Sequence, residues 1–154
     1  MTSLLRLGFR AVPLKLDRII ARMSAADRAT RLDALLDYSN KLPPLPSEFA
    51  ALKEREHHRV PECQTPVYLW VEVRNGTVRL AAEVPRESPT VRGFVSLLVQ
   101  GLDGATPAEV AALPDDLLHA LRLDEALGML RTQGLTAIVR RIKRAAGLPS
   151  RIPS

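Results

Sequence analysis

The clearest pattern in the chain is the alternation that begins at Val67. Val67, Leu69, Val71 and Val73 fall on one face of an extended strand, and Tyr68, Trp70 and Glu72 fall on the other. Asn75-Gly76 follows, the pair favoured in a two-residue type I′ turn because both central positions need positive φ. Such a turn fixes register. It pairs Arg74 with Thr77, Val73 with Val78, Glu72 with Arg79, Val71 with Leu80, Leu69 with Ala82 and Val67 with Val84. Apolar residues then meet apolar partners along one face, and Glu72 meets an opposite charge.

Elsewhere the period is helical. Leu14 to Met23 predicts a short helix, and Ser24-Ala25-Ala26-Asp27 has the spacing of a capping box. The helix after it runs to about Asn40, with Leu32, Leu35 and Leu36 on one face. Pro43, Pro44 and Pro46 then impose a stiff loop, and Ser47 is placed to cap a short helix from Glu48 to about Arg55. Val91, Phe94, Val95, Leu98 and Val99 follow the i, i+3, i+4, i+7, i+8 spacing, which predicts a helix over 90–100 ended by Gly101. Thr106-Pro107-Ala108-Glu109 is a second capping box with proline at the first helical position, and Pro114 stops that helix. A further helix starts at Asp115 or Asp116 and reaches Leu121, and one or two turns lie within 124–130. Gly134 precedes a final helix whose Leu135, Ile138, Val139, Ile142 and Ala146 form a core stripe. The prediction is an α+β fold in which several helices pack on a small antiparallel sheet. That sheet contains hairpin 67–84 and about three strands, because two strands alone are marginal. The sequence marks no clear place for the third.

At 154 residues, 46% of them apolar, the chain has material for one domain with a real core. We expect that domain over 13–147, with a flexible extension over 1–12 and a flexible tail over 148–154. No apolar run approaches the roughly 20 residues of a membrane span. The first 16 residues carry Arg6, Arg10 and Lys15 and no acid, but not the apolar run and small-residue cleavage site of a secretory signal. The net charge of +5 raises a nucleic-acid module as an alternative. Its densest cluster, Arg140, Arg141, Lys143 and Arg144, also reads as the solvated face of an amphipathic helix.

The candidate residue for chemistry is Cys63, the only cysteine, in Val60-Pro61-Glu62-Cys63-Gln64-Thr65-Pro66. The flanking prolines hold it in irregular backbone. A single thiol makes no internal disulfide and no four-thiolate metal site, and it fits a reducing compartment, so the expected location is cytoplasmic. It remains open as a nucleophile, a sulfur carrier or a buried filler. Arg59, His57, His58 and Arg86 are cations able to favour a thiolate, whereas Glu62 opposes it. The hairpin register brings Cys63 towards the loop Pro85-Arg86-Glu87-Ser88-Pro89, which makes Arg86 and Glu87 candidate neighbours. His57-His58 permits a Cys-His thiol enzyme as a second alternative, but no third metal ligand stands at a usual spacing, and no metal site is expected.

Taken together, these segments resemble the SufE family of sulfur acceptors in iron–sulfur cluster assembly. Leu35-Leu36 with Leu42-Pro43-x-Leu45-Pro46 resembles that family's helix and following Leu-Pro turn, and Val60 to Leu69 resembles its active-cysteine loop running into a strand. Glu87-Ser88-Pro89-Thr90-Val91-Arg92-Gly93 is similar to the start of its central helix. Gly104-x-Thr106-Pro107-Ala108-Glu109-Val110 is similar to a further turn, and Leu130-Arg131-Thr132-Gln133-Gly134-Leu135 to the start of its last helix. The likeness covers about Leu14 to Ala146. The family commonly has glycine before the cysteine and serine two after it; here these are Glu62 and Thr65.

The resemblance implies a fold similar to the SufE and IscU proteins. It implies a sulfur acceptor and activator of a cysteine desulfurase, carrying a persulfide on Cys63 and passing it to a cluster scaffold. The chain would be an accessory protein rather than a free-standing enzyme, with no cofactor of its own. Its partners would be a PLP-dependent desulfurase of the SufS type and a scaffold complex of the SufBCD type; a monomer or a weak homodimer fits. Arg131 matches a family arginine near the cysteine, and Glu87 an acidic position beside the active loop; both take supporting roles. Scaffold proteins of similar fold use several cysteines as ligands, so one thiol points to the carrier.

Overall fold

The computed structural model describes residues 12–50 and 55–147. The expected tail, and the expected extension apart from Val12, lie outside the described residues. In chain order the elements are α1 (Leu14–Ala25), α2 (Arg28–Asn40), α3 (Ser47–Ala50), a 3-10 turn (Arg55–His58), β1 (Tyr68–Arg74), β2 (Thr77–Glu83), α4 (Pro89–Leu102), α5 (Pro107–Ala111), α6 (Leu117–Ala120), α7 (Asp124–Leu127) and α8 (Met129–Gly147). The fold is α+β and rich in helix. No helix among the described residues is long and apolar enough to cross a membrane.

β1 and β2 pair antiparallel from Tyr68–Glu83 to Arg74–Thr77 in the register set by the turn. Asn75 (φ 51°) and Gly76 (φ 78°) both take the positive φ that the turn demands. Val67 and Val84, expected as the last pair, lie just beyond the ladder. Among the described residues the sheet has two strands. What stands in place of a third is a single antiparallel bridge, Arg59 to Tyr68.

The hairpin is stabilised by cover on both faces. Val67, Leu69, Val78 and Ala82 join the main core, whereas Tyr68, Trp70 and Ala81 form a second apolar cluster with Phe49. The His58 ring stacks on Trp70 at 5.0 Å, and the Arg55 guanidinium lies 4.0 Å over the Tyr68 ring.

α4 is the axle of the main core; ten of its residues are buried, among them Phe94, Leu98 and Leu102. α2 lies against it so closely that a Cβ at Gly93 would sit 2.1 Å from the Leu35 carbonyl oxygen. α4 also runs on through Gly101 to Leu102. Gly101 was expected to end the helix, but it is a packing glycine: a Cβ there would meet Leu16 Cδ1 at 2.9 Å. Arg92 ties three elements together, donating Nε–H to the Ser39 carbonyl (2.9 Å) and Nη1–H to the Val84 carbonyl (2.6 Å).

Side-chain caps set the starts of α2 and α5. The Thr106–Glu109 capping box is complete, with the Thr106 hydroxyl accepting from Glu109 N–H at 3.1 Å and Thr106 N–H donating to the Glu109 carboxylate at 2.9 Å. At α2 the cap is Asp27 rather than Ser24: its carboxylate accepts from Thr30 N–H at 2.8 Å. α1 continues through Ser24, so that hydroxyl is not free to start a new helix.

A candidate thiol site between the cysteine loop and the last helix

The loop between the 3-10 turn and β1 is pinned at its base. Val60 N–H donates to the Val67 carbonyl at 2.9 Å, and Cys63 N–H donates to the Val60 carbonyl at 3.2 Å, closing a tight turn over Val60-Pro61-Glu62-Cys63. Pro61, Glu62, Gln64 and Pro66 face solvent, while Cys63 turns inward and is only 6% exposed. The loop is polar in sequence, so the burial comes from a distant element. α8 passes beneath it, and Gly134 is the point of contact: a Cβ on Gly134 would lie 3.4 Å from Cys63 Cα, 3.4 Å from Sγ and 3.6 Å from Cβ. A Cβ there would just reach ordinary van der Waals distance of the cysteine. Gly134 was expected just before the last helix; α8 instead begins at Met129 and carries Gly134 within it.

Beside the thiol lies a hollow of about 640 Å³, walled by the loop (Glu62 to Thr65), by Val91 of α4 and by the α7–α8 junction from Leu127 to Arg131. Gly128 makes that junction, with φ 83° and ψ 164°, a conformation nearly restricted to glycine. It leaves Met129 and Leu130 at the mouth, 76% and 75% exposed. Thr65 Oγ1 reaches Ser88 Oγ at 3.5 Å, linking the cysteine loop to the turn before α4. A second hollow of about 440 Å³, between the 42–46 loop, β2 and the end of α4, is lined by no thiol, hydroxyl or imidazole.

Burial pushes the Cys63 thiol above its ordinary range; a backbone hydrogen bond from Thr65 and the charge of Arg59 oppose that shift without overcoming it. The resting sulfur is therefore a protonated, shielded thiol. Arg131 lines the hollow and donates Nη1–H to Thr90 Oγ1 at 3.3 Å, which holds its guanidinium across the gap between α8 and α4. Glu87 and Arg86 are exposed in the turn before α4 and are not among the residues that wall the hollow. Nor are the histidines. His58 Nδ1 lies 3.1 Å from the Leu69 carbonyl oxygen, and the His57 carbonyl accepts from Arg141 at 2.6 Å. No group of three or more metal-ligating side chains occurs among the described residues.

The cysteine loop, the α4 start and the α8 start come from three separate parts of the chain, and a single family model spans all three. That model, described as an Fe-S metabolism associated domain, matches residues 17–146. The chain belongs to the SufE family. A SufE-like protein of Mycobacterium tuberculosis is 37% identical over 135 residues, covering 87% of this chain and 92% of that one. A SufE-like protein of Synechocystis is 29% identical over 136 residues, covering 88% and 82%. The solution structure of a protein from Thermus thermophilus superposes with a TM-score of 0.76 at 36% identity, over 88% of this chain and 95% of the other. Membership implies a sulfur-transfer role in iron–sulfur metabolism.

Within this SufE domain, sequence reasoning singled out Cys63 and Arg131, and both line one hollow. It missed Gly128, Gly134 and the exposed Met129-Leu130 pair. The available signal was a glycine embedded in an apolar helical pattern, which marks close backbone approach as well as a helix end.

Proposed function

We propose that this SufE protein accepts sulfur on Cys63 from a PLP-dependent cysteine desulfurase of the SufS type and passes it to an iron–sulfur scaffold of the SufBCD type. It acts as an accessory in those complexes, not as an enzyme with a small substrate of its own. The observation that carries this reading is the position of the chain's one thiol. It lies at the inner wall of a hollow whose mouth is flanked by exposed apolar residues and an arginine.

The donor holds a persulfide. Cys63, as thiolate, attacks its outer sulfur; the new bond forms at Sγ, the donor's sulfur–sulfur bond breaks, and the donor cysteine leaves as thiolate. A thiol buried and protonated at rest is a poor nucleophile, so docking must open the loop or admit the donor loop into the hollow. At rest the cation acting on the thiol is Arg59; in this reading Arg131, on the wall of the hollow, contacts the partner and favours the thiolate in the docked state. Glu87 is exposed and outside the hollow, and this reading gives it a part in partner contact, not in thiol chemistry. Two of the four cations of the basic cluster are engaged within the protein: Lys143 donates to the Leu113 carbonyl (2.6 Å) and pairs with Asp115, and Arg141 holds the His57 carbonyl. That favours the carrier over a nucleic-acid module.

The test is desulfurase turnover. Added SufE protein raises sulfide release from free cysteine, and Cys63→Ser removes the stimulation while leaving the fold intact. Equal stimulation by Cys63→Ser would overturn the proposal.

A further inference from the structure

Gly134 is costly where it stands. It lies inside α8 and is buried, and a mid-helix glycine destabilises relative to alanine. Steric conflict with the resting thiol does not explain it. An alanine Cβ would lie 3.4 Å from Cys63 Cα, 3.4 Å from Sγ and 3.6 Å from the Cys63 Cβ, all at the near edge of ordinary van der Waals contact, where it would touch the cysteine without displacing it. Gly101 and Gly93 differ, because a Cβ at either would come within 3.0 Å of a neighbour.

The space left open by Gly134 borders Sγ and belongs to the hollow at Cys63. A second sulfur sits about 2.05 Å from the first. Extended obliquely from Sγ past position 134 into the hollow, it would be crowded by a Cβ that already stands 3.4 Å from Sγ. We infer that Gly134 is a positioning residue that keeps room beside Sγ for the outer sulfur of a Cys63 persulfide, so that the loaded carrier closes over its cargo. The inference rests on the proposed carrier role and adds the residue that shelters the loaded state.

The test loads the full chain and Gly134→Ala with cysteine hydropersulfide. In that step the Cys63 thiolate takes the outer sulfur and free cysteine leaves as thiolate, so nothing else is oxidised or reduced. Three quantities are read: the urea midpoint, the iodoacetamide rate of the reduced thiol, and the half-life of the Cys63 persulfide under cyanide, followed by mass. The expected result is a midpoint no lower than wild type, an unchanged alkylation rate, and a persulfide half-life about tenfold shorter in Gly134→Ala, an effect of the size overpacking produces. Equal half-lives would overturn the inference. So would a lowered midpoint or a changed alkylation rate, because the glycine would then serve the resting packing. A wild-type chain that takes up no sulfur at all would strike the carrier reading itself, which keeps the two failures apart.

Discussion

Replacing Gly93 with alanine tests the packing that places the site. The added Cβ would stand 2.1 Å from the Leu35 carbonyl oxygen and 2.8 Å from its carbonyl carbon. Both atoms are α2 backbone, so no rotamer change relieves the overlap. To restore ordinary contact, α2 and α4 must separate by about 1 Å, and these two helices share the most extensive helix–helix interface. Overpacking of this kind costs about 1–3 kcal/mol and at times more, against about 1 kcal/mol gained from helix propensity. A net loss of about 2 kcal/mol follows, the backbone obstacle placing the cost at or above the upper end. With a urea slope of about 1–3 kcal/mol/M, the midpoint falls by about 1 M. Gly101→Ala is the internal comparison. Its Cβ would meet side chains and no backbone, Leu16 Cδ1 at 2.9 Å, Leu16 Cβ at 3.3 Å and Ile19 Cδ1 at 3.5 Å; the closest of these can swing aside, so its loss is smaller. An unchanged midpoint for Gly93→Ala, or a larger loss for Gly101→Ala, would refute the reasoning.

Three further outcomes follow from the site and its surroundings. Because burial raises the Cys63 thiol, alkylation by iodoacetamide is slow at neutral pH and keeps accelerating above the pH at which an ordinary thiol levels off; a plateau at or below the ordinary thiol range would contradict the burial. Arg131→Met leaves the unfolding free energy within about 0.5 kcal/mol of wild type, as expected for an exposed residue, yet slows sulfur uptake from a desulfurase, read as added mass on the Cys63 peptide. The hydrogen bond that His119 Nδ1–H donates to the Asp124 carboxylate (2.9 Å), followed by the carboxylate's charge, raises the imidazole pKa, and the same hydrogen bond lowers that of Asp124. A raised histidine stabilises fully below its unfolded pKa and loses this as pH rises through the folded value. A depressed carboxylate stabilises above its unfolded pKa and loses this as pH falls through its folded value. The pair is therefore fully formed between about pH 4 and 6.5, and NMR titration of His119 should give a midpoint above the ordinary value that returns to it in Asp124→Asn.

The parts legible in the sequence are those fixed by near neighbours. Asn75-Gly76 determines its own turn and, through it, seven residue pairs. Thr106 and Glu109 satisfy each other's backbone donors within four residues. The parts that were not legible depend on what a distant element does. Gly101 and Gly134 look like helix punctuation, but both lie within helices, Gly101 tight against Leu16 and Gly134 facing Cys63, and no local signal separates the two uses. The polar loop around Cys63 gives no hint that α8 closes over the thiol, because the burial is made by residues more than 60 positions away. The third strand was inferred from the weakness of an isolated hairpin; here the second apolar cluster around Trp70 and Phe49 supplies that cover without a strand. Cys63 and Arg131 were found because their residue types are chemically distinctive, and the fold brings them to one hollow.

The central claim is that Cys63 carries sulfur received from a desulfurase. The most direct measurement is to incubate the protein with a SufS-type cysteine desulfurase and free cysteine, then record intact and peptide masses without reductant. The account predicts one added sulfur, about 32 Da, on the Cys63 peptide, dependent on the desulfurase and absent when free cysteine is withheld. An unmodified Cys63 peptide alongside a desulfurase that is turning over would contradict it.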